Sequence, residues 1–182
     1  MPDSGSAPGR KCSVTFGTKT PVMDNLQYAD EILRCWKINN AVDIILLKAL
    51  PKVIWPMKIP GYQHKTIRMM GAHLHNCRCG WIKTVGAKWK VKSPRPVDNS
   101  QVTVAELIAA LEGSAVTISE LIAAGLDNNN KLNRFPPGAV QFMHYMVAHE
   151  AHHRGQLIMA SRQLGHPFPA PVMGKLWQWS KL

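Results

Sequence analysis

The chain has 182 residues, of which 46% are hydrophobic and 18% are charged. This length suits one domain with its own core, and this balance argues against an intrinsically disordered chain. No run approaches the roughly 18 consecutive apolar residues that a transmembrane helix needs, and no membrane partner is expected. We therefore expect a cytoplasmic protein with a flexible tail over residues 1–20 and a single domain over residues 21–182.

The formal net charge is +11, and part of this excess lies in a basic segment over residues 83–95. No Asp or Glu occurs between Asp43 and Asp98. Such a segment can bind phosphates or another acidic partner. Only Trp81 and Trp89 supply aromatic rings at or beside it, so base stacking has little support. We expect a solvated basic loop, and nucleic-acid binding is the minor alternative.

Four segments place apolar residues at three- and four-residue steps, which is the pattern of amphipathic helices. They span, in chain order, residues 24–51, 65–84, 103–125 and 138–165. Asp24 is a candidate cap of the first helix, and Thr103 stands three residues before Glu106 in a candidate capping box. The pattern predicts an all-α four-helix bundle. An irregular C-terminal segment follows, and we expect its Trp177 and Trp179 to pack onto the bundle.

The four cysteines are too few and too scattered for a disulfide scaffold in a chain of this length, so we expect reduced thiols. Cys77 and Cys79 have one residue between them, which fits neither a zinc knuckle nor a thioredoxin motif. Cys77 also continues the apolar stripe of the second predicted helix. The sequence therefore predicts no chemical role for either cysteine.

Histidines are concentrated in the fourth predicted helix. His149 and His153 are four residues apart, which places their rings on one helix face and one turn apart. Phe142 and Met146 share this flank, so we expect it to point inward. A transition metal needs two or three imidazole nitrogens at roughly 2.0–2.1 Å. The pair therefore predicts a metal site rather than surface histidines.

The same segment reads His-Glu-Ala-His-His, which matches the HExxH motif of zinc peptidases. Those enzymes use the Glu as general base and take a third ligand from farther along the chain. No Asp or Glu occurs after Glu150, so we do not expect a peptidase. A third ligand must come from another helix, and His73 and His75 are the candidates. Periodicity alone leaves the choice between these two histidines open.

Two stretches, GAHLHNCRCGWIK (residues 71–83) and VAHEAHHRGQLIMASRQLG (residues 147–165), resemble the DinB-like superfamily of metal-binding four-helix bundles. The resemblance extends over about residues 24–182, and its most specific part is the HxxxHRGQ pattern. It implies a divalent metal (Zn, Ni or Fe) held by His73, His149 and His153, with His75 as the fallback ligand.

The resemblance also implies an activity. Three neutral ligands leave at least one coordination position open, as in catalytic sites. Related families transfer low-molecular-weight thiols such as bacillithiol or mycothiol. We therefore expect a metal-dependent thiol S-transferase or hydrolase acting on a small molecule, with Glu150 or His152 as proton carrier or orienting group. The alternative is a non-catalytic metal-binding protein of a stress response, and members of the superfamily often form homodimers.

Overall fold

The computed structural model describes residues 25–182, so the predicted tail and the candidate cap Asp24 lie outside the described residues. Four long helices and one short helix occur: α1 (Asn25–Ala49), α2 (Ile67–Val85), α3 (Val104–Asp127), α4 (Ala139–Gln163) and α5 (Ala170–Lys175). Three 3₁₀ turns lie at Lys52–Ile54, Gly86–Trp89 and Trp179–Lys181. The described residues contain no strand. The predicted four-helix bundle is confirmed, and each predicted helix bound that falls within the described residues lies within two residues of the observed one.

The helix ends are set by local side-chain contacts. Thr103 forms the predicted capping box: its Oγ1 accepts a hydrogen bond from the Glu106 amide at 3.2 Å, and Glu106 Oε2 accepts from the Thr103 amide at 2.8 Å. Thr66 caps α2, accepting from the Met69 amide at 3.2 Å. Gly138 precedes α4 at a φ of 103°, and a Cβ there would lie 2.2 Å from the Asn130 carbonyl oxygen. Only glycine fits that position.

Helix α3 is the central helix and packs against α1, α2 and α4. Among the described helices, it alone has the length and apolar composition that crossing a membrane requires. The core helix of a bundle has the same two properties, and Leu107, Leu111, Ile118 and Leu121 of α3 are fully buried against the neighbouring helices. We therefore assign α3 to the hydrophobic core.

The C-terminal segment contacts the bundle through other residues than predicted. Helix α5 packs against α1, with Phe168 and Leu176 buried in the core. Trp177 is 79% exposed and Trp179 is 45% exposed, so the expectation that these two rings pack onto the bundle is wrong. The reason is the register of the last turn: Leu176 takes the inward position, and its neighbour Trp177 consequently points to solvent.

The basic segment lies along α2 and is fixed to it by hydrogen bonds. The Asn76 amide donates to the Val97 carbonyl at 3.0 Å, and its Oδ1 accepts from the Val97 amide at 2.8 Å. Ser93 Oγ donates to the Cys79 carbonyl at 2.9 Å. Four lysines of the segment remain exposed: Lys83, Lys88, Lys90 and Lys92. The segment is therefore a fixed loop whose cations face solvent.

A buried arginine joins all four long helices. Arg78 of α2 is 0% exposed and donates to Glu150 of α4 at 2.7 and 2.9 Å and to Asp43 of α1 at 3.1 Å. It also donates to the Leu111 carbonyl of α3 at 2.9 Å. Arg154 of α4 completes the network with a 2.7 Å contact to Asp43. The guanidinium groups thus pair with the two buried carboxylates.

The two carboxylates of this network differ in their pKa. Burial and the adjacent Glu150 charge raise the pKa of Asp43 to about 8, although Arg154 and Arg78 oppose this. Burial would also raise the pKa of Glu150, but the charge and hydrogen bonds of Arg78 outweigh it, and the pKa of Glu150 is lowered. Glu150 is therefore the ionised partner of Arg78.

Replacing Arg78 by methionine keeps a long side chain in the core but leaves Glu150 and Asp43 without their shared cation. We expect the free energy of unfolding, measured by urea denaturation, to fall by about 3–5 kcal/mol, because a buried charge would be uncompensated. The matched control is Arg34→Met, since Arg34 pairs with Glu31 at the surface, 3.7 Å away. That variant should change stability by less than about 1 kcal/mol. Equal losses in the two variants would contradict the prediction.

Candidate metal centre

Three histidines from two helices converge between α2 and α4. The ring centre of His73 lies 5.3 Å from that of His149 and 4.6 Å from that of His153. The rings of His149 and His153 are 4.6 Å apart, because these residues occupy successive turns of one face of α4. The structure thus brings together the three residues that the sequence and its resemblance proposed as metal ligands.

The spacing of the imidazole nitrogens fits a metal ion. Nε2 of His149 and Nε2 of His153 lie 3.2 Å apart. A tetrahedral ion with metal–nitrogen bonds of roughly 2.0–2.1 Å holds two nitrogen ligands roughly 3.3 Å apart. The two nitrogens are therefore already spaced as ligands of one cation.

A glutamine one turn away fixes the orientation of His153. Gln156 Oε1 can only accept, so Nδ1–H of His153 donates to it at 2.8 Å. This leaves the lone pair on Nε2, the atom that faces His149. The amide nitrogen of Gln156 donates in turn to Nε2 of His152 at 3.0 Å. Gln156 therefore connects the cluster to a fourth histidine outside it.

The three clustered imidazoles are held in their neutral form. Burial lowers the pKa of each of them, and nearby positive charge lowers it further. Lys65 contributes to this effect at His73 and at His153. A neutral imidazole is the form that binds a metal ion. The local electrostatics therefore favour ligand binding by these rings at neutral pH.

His75 has a different environment from His73. It is buried, with Nδ1 at 3.2 Å from Ser114 Oγ and Nε2 at 3.1 Å from the Arg95 carbonyl oxygen. Its Nε2 is also 3.2 Å from the Cys79 thiol. Two residues along a helix turn a side chain to nearly the opposite side. His73 therefore lies with the α4 histidines, while His75 fastens the basic segment to α2 and α3.

The two residues expected to carry protons are placed differently. His152 is exposed and lies beside the cluster, with its ring centre 5.1 Å from that of His153. Glu150 is 0% exposed, and its carboxylate accepts hydrogen bonds from Arg78 and Asn39. This burial corrects the expectation that Glu150 carries protons at the site, because its oxygens face the core. Glu150 instead has a structural role in the core next to the cluster, where it binds Arg78.

A cysteine that the sequence analysis passed over lies at the same site. Cys77 Sγ is 3.8 Å from His149 Nε2, and the donor atoms of His73, Cys77 and His149 all lie within 4.8 Å of one another. These three residues could hold a metal ion. The sequence spacing could have identified Cys77 as a site residue, since it follows His73 by one helical turn, just as His153 follows His149. Burial and the Glu150 charge raise the pKa of the Cys77 thiol.

A cavity of about 400 Å³ opens beside the cluster. Its lining includes three histidines and two residues before α2: His73, His152, His153, Lys65 and Tyr62. This volume is within the range of small-molecule sites. The cavity gives a ligand direct access to two of the three clustered rings.

Comparison with known proteins assigns the chain to one family. A sequence model of the DinB family matches residues 23–179. A search of the curated proteins finds no match, and a search of the solved structures finds none either. The match covers most of the chain and includes every residue of the cluster and of the buried arginine network.

Replacing Gln156 by alanine removes the group that orients His153 without removing a candidate ligand. We expect the affinity for Zn²⁺ to fall about 10- to 100-fold, the usual cost of losing such an orienting partner. Competition with a chromophoric chelator measures it. Gln163→Ala, an exposed glutamine at the end of the same helix, should leave the affinity unchanged. If both variants bind Zn²⁺ as the wild type does, Gln156 has no such role.

Proposed function

The chain belongs to the DinB family, and from this premise we propose that it is a metal-dependent enzyme, a thiol S-transferase or a hydrolase. One observation carries the proposal: the rings of His73, His149 and His153 converge beside a cavity that a small molecule can enter. A metal site that serves stability alone is normally closed by four protein ligands. Access from a cavity supports a catalytic use.

Three imidazoles suit Zn, Ni or Fe. Such an ion, when bound, makes a water or thiol easier to deprotonate and polarises its substrate. The residues of the chain would bind the ion and orient its ligands. The neutral rings of His73, His149 and His153 bind without burying net charge, and Gln156 keeps His153 in the correct tautomer.

His152 is our candidate for proton transfer. It lines the cavity, and Nε2 is the basic atom of its neutral ring because this atom accepts a hydrogen bond from Gln156. Gln156 must release this hydrogen bond before Nε2 can take up a proton. An imidazole is the side chain that most often serves as general base in enzymes. His152 is therefore better placed than Glu150 to take the proton from a thiol or water in the cavity.

The cavity favours a substrate with a negative charge. Lys65 lies in its wall, and no Asp or Glu is among the described residues that line it. The Lys65 ammonium lies 5.2 Å from the centre of the Tyr62 ring, at the edge of the same cavity. Low-molecular-weight thiols carry carboxylates, which Lys65 would attract. The charge of the wall therefore supports the thiol S-transferase over a hydrolase of neutral esters.

A turnover assay tests the proposal. Protein loaded with Zn, Ni or Fe is mixed with an electrophile and with each low-molecular-weight thiol in turn, and separately with an ester. We expect turnover with at least one thiol, and we expect it to fall to the uncatalysed rate in His149→Ala. The matched control is His144→Ala, an exposed histidine of the same helix, which should keep the wild-type rate.

The assay also decides between the proposal and its alternative. In the non-catalytic alternative the ion only joins α2 to α4. Metal would then raise the melting temperature of the wild type but not of His149→Ala, and no thiol or ester would be turned over faster than in that variant. Turnover of the ester alone would favour the hydrolase.

Replacing Lys65 by alanine tests the substrate charge. We expect KM for a carboxylate-bearing thiol to rise about fivefold with kcat unchanged, because an exposed charge pair contributes up to about 1 kcal/mol. KM for a neutral thiol should not change. Lys52→Ala, an exposed lysine of the loop after α1, is the control. Equal rises of KM for the charged and neutral thiols would show that Lys65 acts through shape rather than charge.

A further inference from the structure

We propose that Cys77 is a ligand of the same metal, so that the donor set consists of three imidazoles and one thiolate. This inference rests on the proposed metal site. The observation behind it is the position of the thiol: Cys77 Sγ lies 3.8 Å from His149 Nε2, and the donor atoms of His73, Cys77 and His149 all lie within 4.8 Å of one another. His153 adjoins this group through its Nε2, which lies 3.2 Å from that of His149.

The distance agrees with the bond lengths of a mixed site. Zinc binds sulfur at roughly 2.3 Å and nitrogen at roughly 2.0–2.1 Å, so a tetrahedral ion holds the two donors roughly 3.6 Å apart. The separation of Cys77 Sγ from His149 Nε2 is 3.8 Å. This pair of donors is therefore spaced nearly as two ligands of one ion.

The four donors also share one arrangement on their helices. His73 and Cys77 are one turn apart on α2, and His149 and His153 are one turn apart on α4. Side chains four residues apart lie on the same face of a helix. Each helix consequently presents two donors to the other across the space between them.

The other described cysteines have different surroundings. Cys79 is 3% exposed and contacts His75, and Cys35 is exposed on α1. Within residues 25–182, neither sulfur forms a hydrogen-bond contact with the histidine cluster. Cys77 is half-buried, and the polar group that its sulfur meets is His149. Among these three thiols, Cys77 alone is placed to bind the metal.

A thiolate from Cys77 leaves the cavity available. His73 and His153 line the cavity, whereas Cys77 and His149 are not among the described residues that do. The sulfur therefore approaches the cluster from the inner side, and a substrate approaches from the outer side. Four protein ligands would fill a tetrahedral ion, so the proposed catalysis would require the substrate to add as a fifth ligand or to displace one of the four donors.

Binding would break the S–H bond of Cys77, form a sulfur–metal bond and release one proton to solvent. Zinc is the ion of the Zn, Ni and Fe set that both thiolate and imidazole ligands favour as a single bound ion.

Cobalt substitution tests the inference directly. Wild-type protein loaded with Co²⁺ should show a near-ultraviolet thiolate-to-cobalt charge-transfer band. Cys77→Ser should lose this band while still binding Co²⁺ through its histidines, with an affinity at least about tenfold lower. Cys35→Ser, which changes an exposed cysteine, should keep both the band and the affinity.

A second readout uses the unchanged protein. Bound Zn²⁺ should protect Cys77 from alkylation by iodoacetamide, as measured by peptide mass spectrometry, while Cys35 reacts equally with and without Zn²⁺. A wild-type protein that binds Co²⁺ without the band, or alkylation of Cys77 that Zn²⁺ does not slow, would overturn the role of Cys77 and leave the three-histidine site standing. If wild type and His149→Ala both fail to bind Co²⁺, the metal site itself fails and Cys77 is not a ligand.

Discussion

The position of Arg78 is the constraint on which the site depends. Its contacts with Glu150, Asp43 and the Leu111 carbonyl tie α2 to the other three long helices. In the sequence Arg78 follows Cys77, and Glu150 follows His149. Neighbouring residues of a helix point about 100° apart. When Arg78 meets Glu150 in the core, Cys77 and His149 consequently meet beside it. The Arg78–Glu150 ion pair and the alignment of the donors therefore belong to one and the same register of α2 against α4.

This arrangement explains why a charged network occupies a core position that apolar side chains could fill. A buried ion pair contributes little net stability, because desolvation cancels most of the attraction. Apolar residues would pack at several registers of α2 against α4 with similar energy. A guanidinium has fixed hydrogen-bond directions, so it can keep its hydrogen bonds in only a few of these registers. Since the clustered nitrogens must lie about 3.3 Å apart to share an ion, a slip of one turn would destroy the site.

Local patterns predicted more of the fold than of the site. Helix periodicity and the Thr103 capping box predicted the four long helices. The spacing of His149 and His153 identified two candidate ligands. Periodicity could not choose between His73 and His75, since both lie off the apolar stripe and the choice depends on which side of α2 meets α4. Cys77 was passed over because a half-buried thiol on that stripe has the same pattern as a core residue. The burial of Arg78 and Glu150 was not predictable, because nothing local distinguishes a charged residue that finds a partner from one in solvent.

The HExxH motif has a different role here from its role in zinc peptidases, because the surrounding fold is different. In a zinc peptidase the Glu of this motif must face the ion to act as a base. Here the carboxylate of Glu150 is in the core and binds Arg78. A base with this partner has its pKa lowered and its lone pairs occupied, so it cannot take a proton from a ligand in the cavity. In the proposed function, proton transfer is assigned instead to His152, which lines the cavity. The same five residues therefore supply two candidate ligands and one structural anion, and the difference arises from the arginine on the facing helix.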